Sequence, residues 1–254
     1  MTLQSSSPAS TVPGLKSKTV LPGCFDRIIW EAAFSELGEA LKANRQTLDE
    51  SRRTTACDFS VFDFIAPSEN VLSDILASLL DPEGKHGQSD RFLRSLLAKV
   101  APKRVTESGD LVVVREALTY TNPKNPRRID IVATFHGFTL AIETKKYAKE
   151  QKNQIADYCD HLERIAGANF CLIFLTRAGE MPESIPRERA DALIKAGQLV
   201  LLSWKPGVSA WLEASMQDCP APKIRHFLED FQTYIDAYLE AQQAEDTYAE
   251  EPAR

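Results

Sequence analysis

Three residues in the stretch RRIDIVATFHGFTLAIETKK (127–146) have the types and spacing to do chemistry together: Asp130, Glu143 and Lys145. Two carboxylates and an ammonium on one surface suit a hard cation such as Mg²⁺ or Mn²⁺, which prefers oxygen ligands and open coordination positions. A cation held there would bind a phosphate oxygen and activate water, with Lys145 stabilising the developing charge. The case rests on register. His136-Gly137 lies between two alternating runs and fits a two-residue hairpin turn, because Gly accepts positive φ freely and His better than most residues. Paired positions then sum to 273, so Asp130 faces Glu143. Ile131–Ile142, Ala133–Leu140 and Phe135–Phe138 form one apolar face, and a slip of one residue would scramble it. Lys145, two residues past Glu143, points to the same side as Glu143. Facing carboxylates ~5 Å apart repel by roughly 3 kcal/mol at an effective dielectric of 20, so the pair asks for a cation or a shared proton. An E-x-K on a strand is by itself a weak motif, and a solvent-facing strand surface is the plain alternative.

The elements that must position these residues are visible in the periodicity. Residues 25–53 carry apolar positions (Phe25, Ile28, Ile29, Ala32, Phe34, Leu37, Leu41) at approximate helical spacing. The run FSVFDFI (59–65) is apolar and reads as packed. Ser68 caps a helix whose stripe is Val71, Leu72, Ile75, Leu76, Leu79 and Leu80, ended by Asp81-Pro82. A second helix begins near Ser89 or Asp90 and buries Phe92, Leu93, Leu96, Leu97 and Val100. Strands follow at 111–118, 128–135 and 138–144, with a turn-rich NPKNP between the first two. Helical period returns over 149–166, FCLIFL (170–175) reads as a strand covered on both faces, and LVLLSW (199–204) as another. Helices near 207–217 and 222–240 close the chain. This order gives an α/β or α+β class with a mixed sheet flanked by helices.

Composition bounds the rest. The 254 residues are 43% hydrophobic and 26% charged, ordinary for a folded domain, with a net charge of −6. Unaided bulk attraction to nucleic acid is therefore weak, since such binding needs basic surface. The five cysteines form no C-x-x-C pair, which argues against zinc and fits a reducing cytoplasm; Cys159 and Cys171 lie in apolar stretches and read as buried thiols. No apolar run is long enough to span a bilayer, and the start lacks a signal-peptide core. The expected organisation is a disordered leader (1–20), a single domain (21–240) and an acidic, disordered tail (241–254). The domain comprises a helical addition (21–58), a core (59–204) and C-terminal helices (205–240). Trp204 and Trp211 read as core.

The combined motifs resemble the PD-(D/E)XK nuclease superfamily. The likeness is to a bacterial branch with an acidic helix, L-x-x-L-L-D-P-x-G-x-H-G, R-I-D-I, I-E-x-K and Q-x-x-x-Y. This chain has Glu69, LASLLDPEGKHG (76–87), RIDI (128–131), IETK (142–145), and Gln154 with Tyr158; FLTRAG (174–179) and LSW (202–204) match weaker features. Ile129 stands where the family's literal Pro would be. The resemblance implies a restriction-endonuclease-like core with extra terminal helices. It implies Asp130, Glu143, the Thr144 carbonyl and Glu69 around Mg²⁺ or Mn²⁺, with Lys145 as catalytic lysine. Gln154, Tyr158, Lys146 and Lys149 would lie along the substrate. His86 matches the family's H-G, with capping the site and shaping a helix corner both open. The implied activity is hydrolysis of DNA (RNA not excluded) by an endonuclease of bacterial defence or DNA maintenance, with a homodimer or defence-system protein as partner. The alternative is a catalytically weak nucleic-acid-binding or complex-forming module on the same fold.

Overall fold

The computed structural model describes residues 25–56, 59–104, 111–120, 126–146 and 149–249. The chain divides into two compact units, Met1–Phe59 and Ser60–Arg254. In the first, α1 runs from Phe25 to Thr55. The expected leader lies outside the described residues, as does most of NPKNP.

In the second unit, α2 (Phe62–Ile65) is a single turn, followed by α3 (Glu69–Leu80) and α4 (Arg91–Val100). Ser68 caps α3 as its residue type suggests, its hydroxyl accepting from the Val71 N–H at 3.4 Å. The sheet is built from β1 (Val112–Leu118), β2 (Arg128–Phe135), β3 (Phe138–Thr144), β4 (Phe170–Thr176) and β5 (Leu199–Ser203), in that spatial order. The first three strands meander antiparallel, and β3–β4–β5 are parallel. The two parallel connections carry α5 (Gln154–Ala166) and α6 (Arg187–Ala196), and α7 (Ser209–Gln217) and α8 (Pro222–Ala249) follow. The mixed five-stranded sheet flanked by helices is the fold class expected. The last helix reaches Ala249, past the boundary at 240 drawn from composition.

The strands alternate, and alternation sorts the core into two halves. Phe138, Leu140 and Ile142 of β3, with Cys171, Ile173 and Leu175 of β4, pack with residues of α3, α4, α7 and α8. Ala141, Phe170, Leu172 and Phe174 pack on the other side with Ile155, Cys159 and Leu162 of α5 and Leu193 of α6. Truncating one such residue to Ala costs about 2–5 kcal/mol. Trp204 and Trp211 are buried as expected. Cys159 and Cys171 are buried free thiols, and burial pushes each up to about 12. The segment 59–65 departs from expectation. Phe62 alone is buried, packed near Phe231 and Tyr234, while Phe59, Phe64 and Ile65 are more than half exposed. Val71 is also exposed, at the edge of the α3 stripe.

The β2–β3 hairpin positions the candidate site. His136 and Gly137 take φ of 45° and 73°, the two positive values a type I′ turn requires. The pairs run from Phe135–Phe138 to Ile131–Ile142 in the expected register, and the ladder stops there. Ile129 and Ile131, two apart on one strand, join opposite halves of the core, so β2 turns over at Asp130. The neighbouring strand marks the same place: Arg115 pairs with Ile131 and Ala117 with Ile129, skipping Glu116, whose φ is 49°. Arg115 spans the break, donating to the Asp130 carbonyl and, at 2.7 Å, to Asp74 on α3.

Candidate functional site

Where β2 leaves the ladder, the Asp130 side chain crosses to the end of β3. Its Oδ2 accepts from the Thr144 backbone N–H at 2.8 Å and from the Thr144 hydroxyl at 2.6 Å. The Thr144 hydroxyl also lies 2.7 Å from that of Ser73 on α3. Ser73 was not singled out in the sequence, although a small polar residue inside an apolar stripe was the available signal.

Glu143, one residue earlier, points to the α5 side and is 2% exposed. Its Oε1 accepts from Lys145 Nζ and from Gln154 Nε2, both at 2.7 Å. Its Oε2 is buried with no hydrogen-bond partner. Burial and the Asp130 charge push Glu143 up to about 7, against the pull of Lys145. Lys145 is raised from its ordinary value: burial opposes its charge, but Glu143, Glu69 and Asp130 together outweigh it. Gln154 and Tyr158 sit one turn apart at the start of α5, as their spacing suggests. The Gln154 amide donates to the Tyr158 hydroxyl at 3.1 Å, and that hydroxyl donates to the Arg128 carbonyl. Burial and the Glu143 charge hold the Tyr158 phenol well above its usual range. Both residues are buried, so they brace Glu143 from behind.

The remaining sequence-picked residues fall in different places. Glu69 opens α3, and its Oε2 accepts from the Lys146 N–H at 2.8 Å. Lys146 turns to the opposite side from Lys145, and its buried ammonium donates to the Pro67 carbonyl and the Tyr234 hydroxyl, both at 2.9 Å. It pins the end of β3 to α8 and to the start of α3. Lys149 is exposed. His86 lies in the α3–α4 corner. Its Nε2 is 2.8 Å from the Asp81 carbonyl, and its Nδ1 accepts from the Gln88 N–H at 2.9 Å. Those partners fix the Nε2–H tautomer and give His86 a corner-shaping role. A Cβ at Gly84 would lie 2.7 Å from the Ser78 carbonyl oxygen and 2.8 Å from the His86 ring, so only glycine fits that corner.

The expectation of a Mg²⁺-dependent hydrolase, with Mg²⁺ or Mn²⁺ held by Asp130, Glu143, Thr144 and Glu69, is corrected by this arrangement. Glu143 Oε2 is the one feature a cation would answer. The other donors do not converge on it: Asp130 Oδ2 is taken by Thr144, Glu69 Oε2 by the Lys146 backbone, and Glu143 Oε1 by a lysine and an amide. Among the described residues, no group of three or more His, Cys, Asp or Glu side chains is placed to hold a metal ion. The physical reason is the turn-over of β2, which sends Asp130 to Thr144 instead of leaving it opposite Glu143.

An open cavity of about 630 Å³ adjoins Lys145. Lys145, Lys146, Lys149 and Arg177 line it, with Glu150, Glu180 and Glu183, over a floor of Phe174 and Met181. Two of the acids are bound to the protein's own backbone. Glu150 accepts from the N–H groups of Glu183 and Ser184 at 2.8 and 2.9 Å, and Glu180 from that of Ala178 at 3.1 Å. Arg177 lies in the FLTRAG segment, where neither spacing nor pairing singles it out. No helix among the described residues is long and apolar enough to cross a membrane.

A family profile described as the PD-(D/E)XK nuclease superfamily matches residues 59–240. No curated protein matches significantly. A solved structure titled "Crystal Structure of Protein of Unknown Function AF1548" is similar at 15% identity, over 63% of this chain and 95% of that one, with a TM-score of 0.28.

Proposed function

The chain belongs to the PD-(D/E)XK nuclease superfamily, and on that premise we propose that it is a nucleic-acid-binding module, holding a phosphate backbone in the cavity beside Lys145 without a metal-built cutting centre. The observation that carries this reading is the cavity itself: Lys145, exposed Lys149 and Arg177 line one open cleft at the C-terminal end of the parallel strands, in a protein whose net charge is −6. Open α/β sheets receive ligands at that end. Glu150 and Glu180 in the same lining are held by backbone N–H groups, which offsets part of their charge. Lys145, tied to Glu143 at 2.7 Å, faces the cleft as a fixed ammonium, while exposed Lys149 adapts to the strand. Half-buried Met181 supplies an apolar patch on which a sugar or base can rest.

The test is a fluorescence-anisotropy titration of labelled DNA and RNA oligonucleotides with EDTA present, comparing the natural protein with Lys149→Glu/Arg177→Glu. Binding that survives EDTA and falls at least ~10-fold in the double variant, the scale of two lost phosphate contacts, is expected. Binding that needs added Mg²⁺, or that ignores the double charge reversal, overturns the reading.

A complex-forming role has separate support. The first unit carries Trp30, Phe34, Leu37, Leu41 and Leu48 along α1, each between 55% and 66% exposed.

A further inference from the structure

We infer that α1 pairs with α1 of a second copy of this chain as an antiparallel coiled coil, an inference that rests on the complex-forming role and names its partner. Trp30, Phe34, Leu37 and Leu41 are spaced four, three and four apart, and Asn44 and Leu48 continue the same rhythm. That is a 3.5-residue period, the repeat that keeps one seam of a helix facing a partner helix. The seam is exposed along its length, and from Trp30 to Leu48 it extends about 27 Å at ~1.5 Å per residue. A single polar Asn inside such a seam sets register at some cost in stability.

Charge selects the partner and its direction. From Trp30 to Ala40 the sequence carries three acids and no base; from Leu41 to Thr55 it carries four bases against two acids. A parallel pair would set acid on acid and base on base. An antiparallel pair sets each acidic half on a basic half of the same sequence, so the helix complements itself. In the register that keeps the seam continuous, Trp30 meets Leu48 of the partner subunit, Phe34 meets the partner's Asn44, and Leu37 meets the partner's Leu41. Gly38 and Ala40 then flank the centre of the crossing. These are small residues, and nothing lies within 4 Å of where a Gly38 Cβ would be, so the two backbones can approach closely there.

The experiment is sedimentation equilibrium on the full chain at micromolar concentration, beside Leu37→Asp/Leu41→Asp and Asn44→Leu. The natural chain should be a dimer. The double-Asp variant should dimerise at least ~100-fold more weakly, because each Asp would bring an unpaired charge into the seam, with its circular dichroism otherwise close to that of the natural chain. Asn44→Leu should dimerise more tightly. Direction is read from a nitroxide at position 52 (Arg52→Cys, with Cys24 and Cys57 replaced by Ser). The labels in an antiparallel pair lie about 40 Å apart, from ~26 residues of helix rise, against ~10 Å for a parallel pair. A monomeric natural chain, an unchanged dimer in the double-Asp variant, or a short label distance each overturns the inference. Oligonucleotide binding by the double-Asp monomer, and dimerisation of Lys149→Glu/Arg177→Glu, are both expected to persist. A failure of the cleft reading is thereby separated from a failure of this one.

Discussion

Glu143 and Thr144 are consecutive residues of one strand, both buried, and they present opposite solutions to burying a polar group. Thr144 faces α3. Its hydroxyl and its N–H meet Asp130, and Ser73 closes the network. Glu143 faces α5, where two donors crowd one of its oxygens and the other oxygen has none. Satisfied buried networks fix a structure, and an unsatisfied buried polar atom is a cost that stability alone does not explain. The difference separates a polar knot that locks β2, β3 and α3 from a strained carboxylate beside the open cleft.

Replacing the strained member should give the larger effect. Glu143 is raised from 4.5 to about 7. The folded protein therefore keeps that proton over a range where the unfolded chain has lost it. The stability from the protonated form is fully present below about 4.5 and is lost as pH rises through about 7. Glu143→Gln cannot ionise, so denaturant melts should show little difference from the natural protein near pH 4.5. By pH 8 the variant should gain up to about 3 kcal/mol, less whatever Lys145 loses with its partner. A gain that is flat with pH, or a loss at pH 8, breaks the contrast. Thr144→Val tests the satisfied side. It keeps the shape and removes one hydroxyl, leaving Ser73 and one Asp130 contact unmet, and should cost about 2 kcal/mol in the same melts. A change under ~0.5 kcal/mol, ordinary for surface positions, would mean that the knot holds nothing. Lys149→Ala should be the smallest in stability, within ~0.5 kcal/mol, because its side chain is exposed; a large loss there would assign Lys149 to the fold and remove it from the cleft.

The legibility of these features followed how local their causes are. The hairpin register was readable because a two-residue turn and alternating apolar residues determine it within ten positions of His136. Gln154 and Tyr158 were readable as a pair because helical spacing puts them on one face. The departure of Asp130 was not readable. It coincides with Glu116, fourteen residues earlier, taking a positive φ on the neighbouring strand, and nothing in RIDI announces that. From that one displacement follows the correction of the metal-binding expectation. Helix α6 escaped notice because only Ala190 and Leu193 of its ten residues are buried, which leaves almost no apolar period, although Gly197 at φ 72° marks its end. The segment 59–65 misled in the other direction, since apolar composition alone does not say which side chains find a partner.

The proposed seat of nucleic acid is the cleft beside Lys145. A second cavity of about 770 Å³, lined by Arg91, Arg94 and Asp218, lies between α4 and α7 and is the natural competitor. Ultraviolet cross-linking of a photoreactive oligonucleotide in EDTA, followed by peptide mapping, distinguishes the two. The predicted result is cross-links on the peptides containing Lys149, Phe174, Arg177 and Met181, which Lys149→Glu/Arg177→Glu abolishes. Cross-links confined to the peptides around Arg91, Arg94 and Ala214 would contradict the claim.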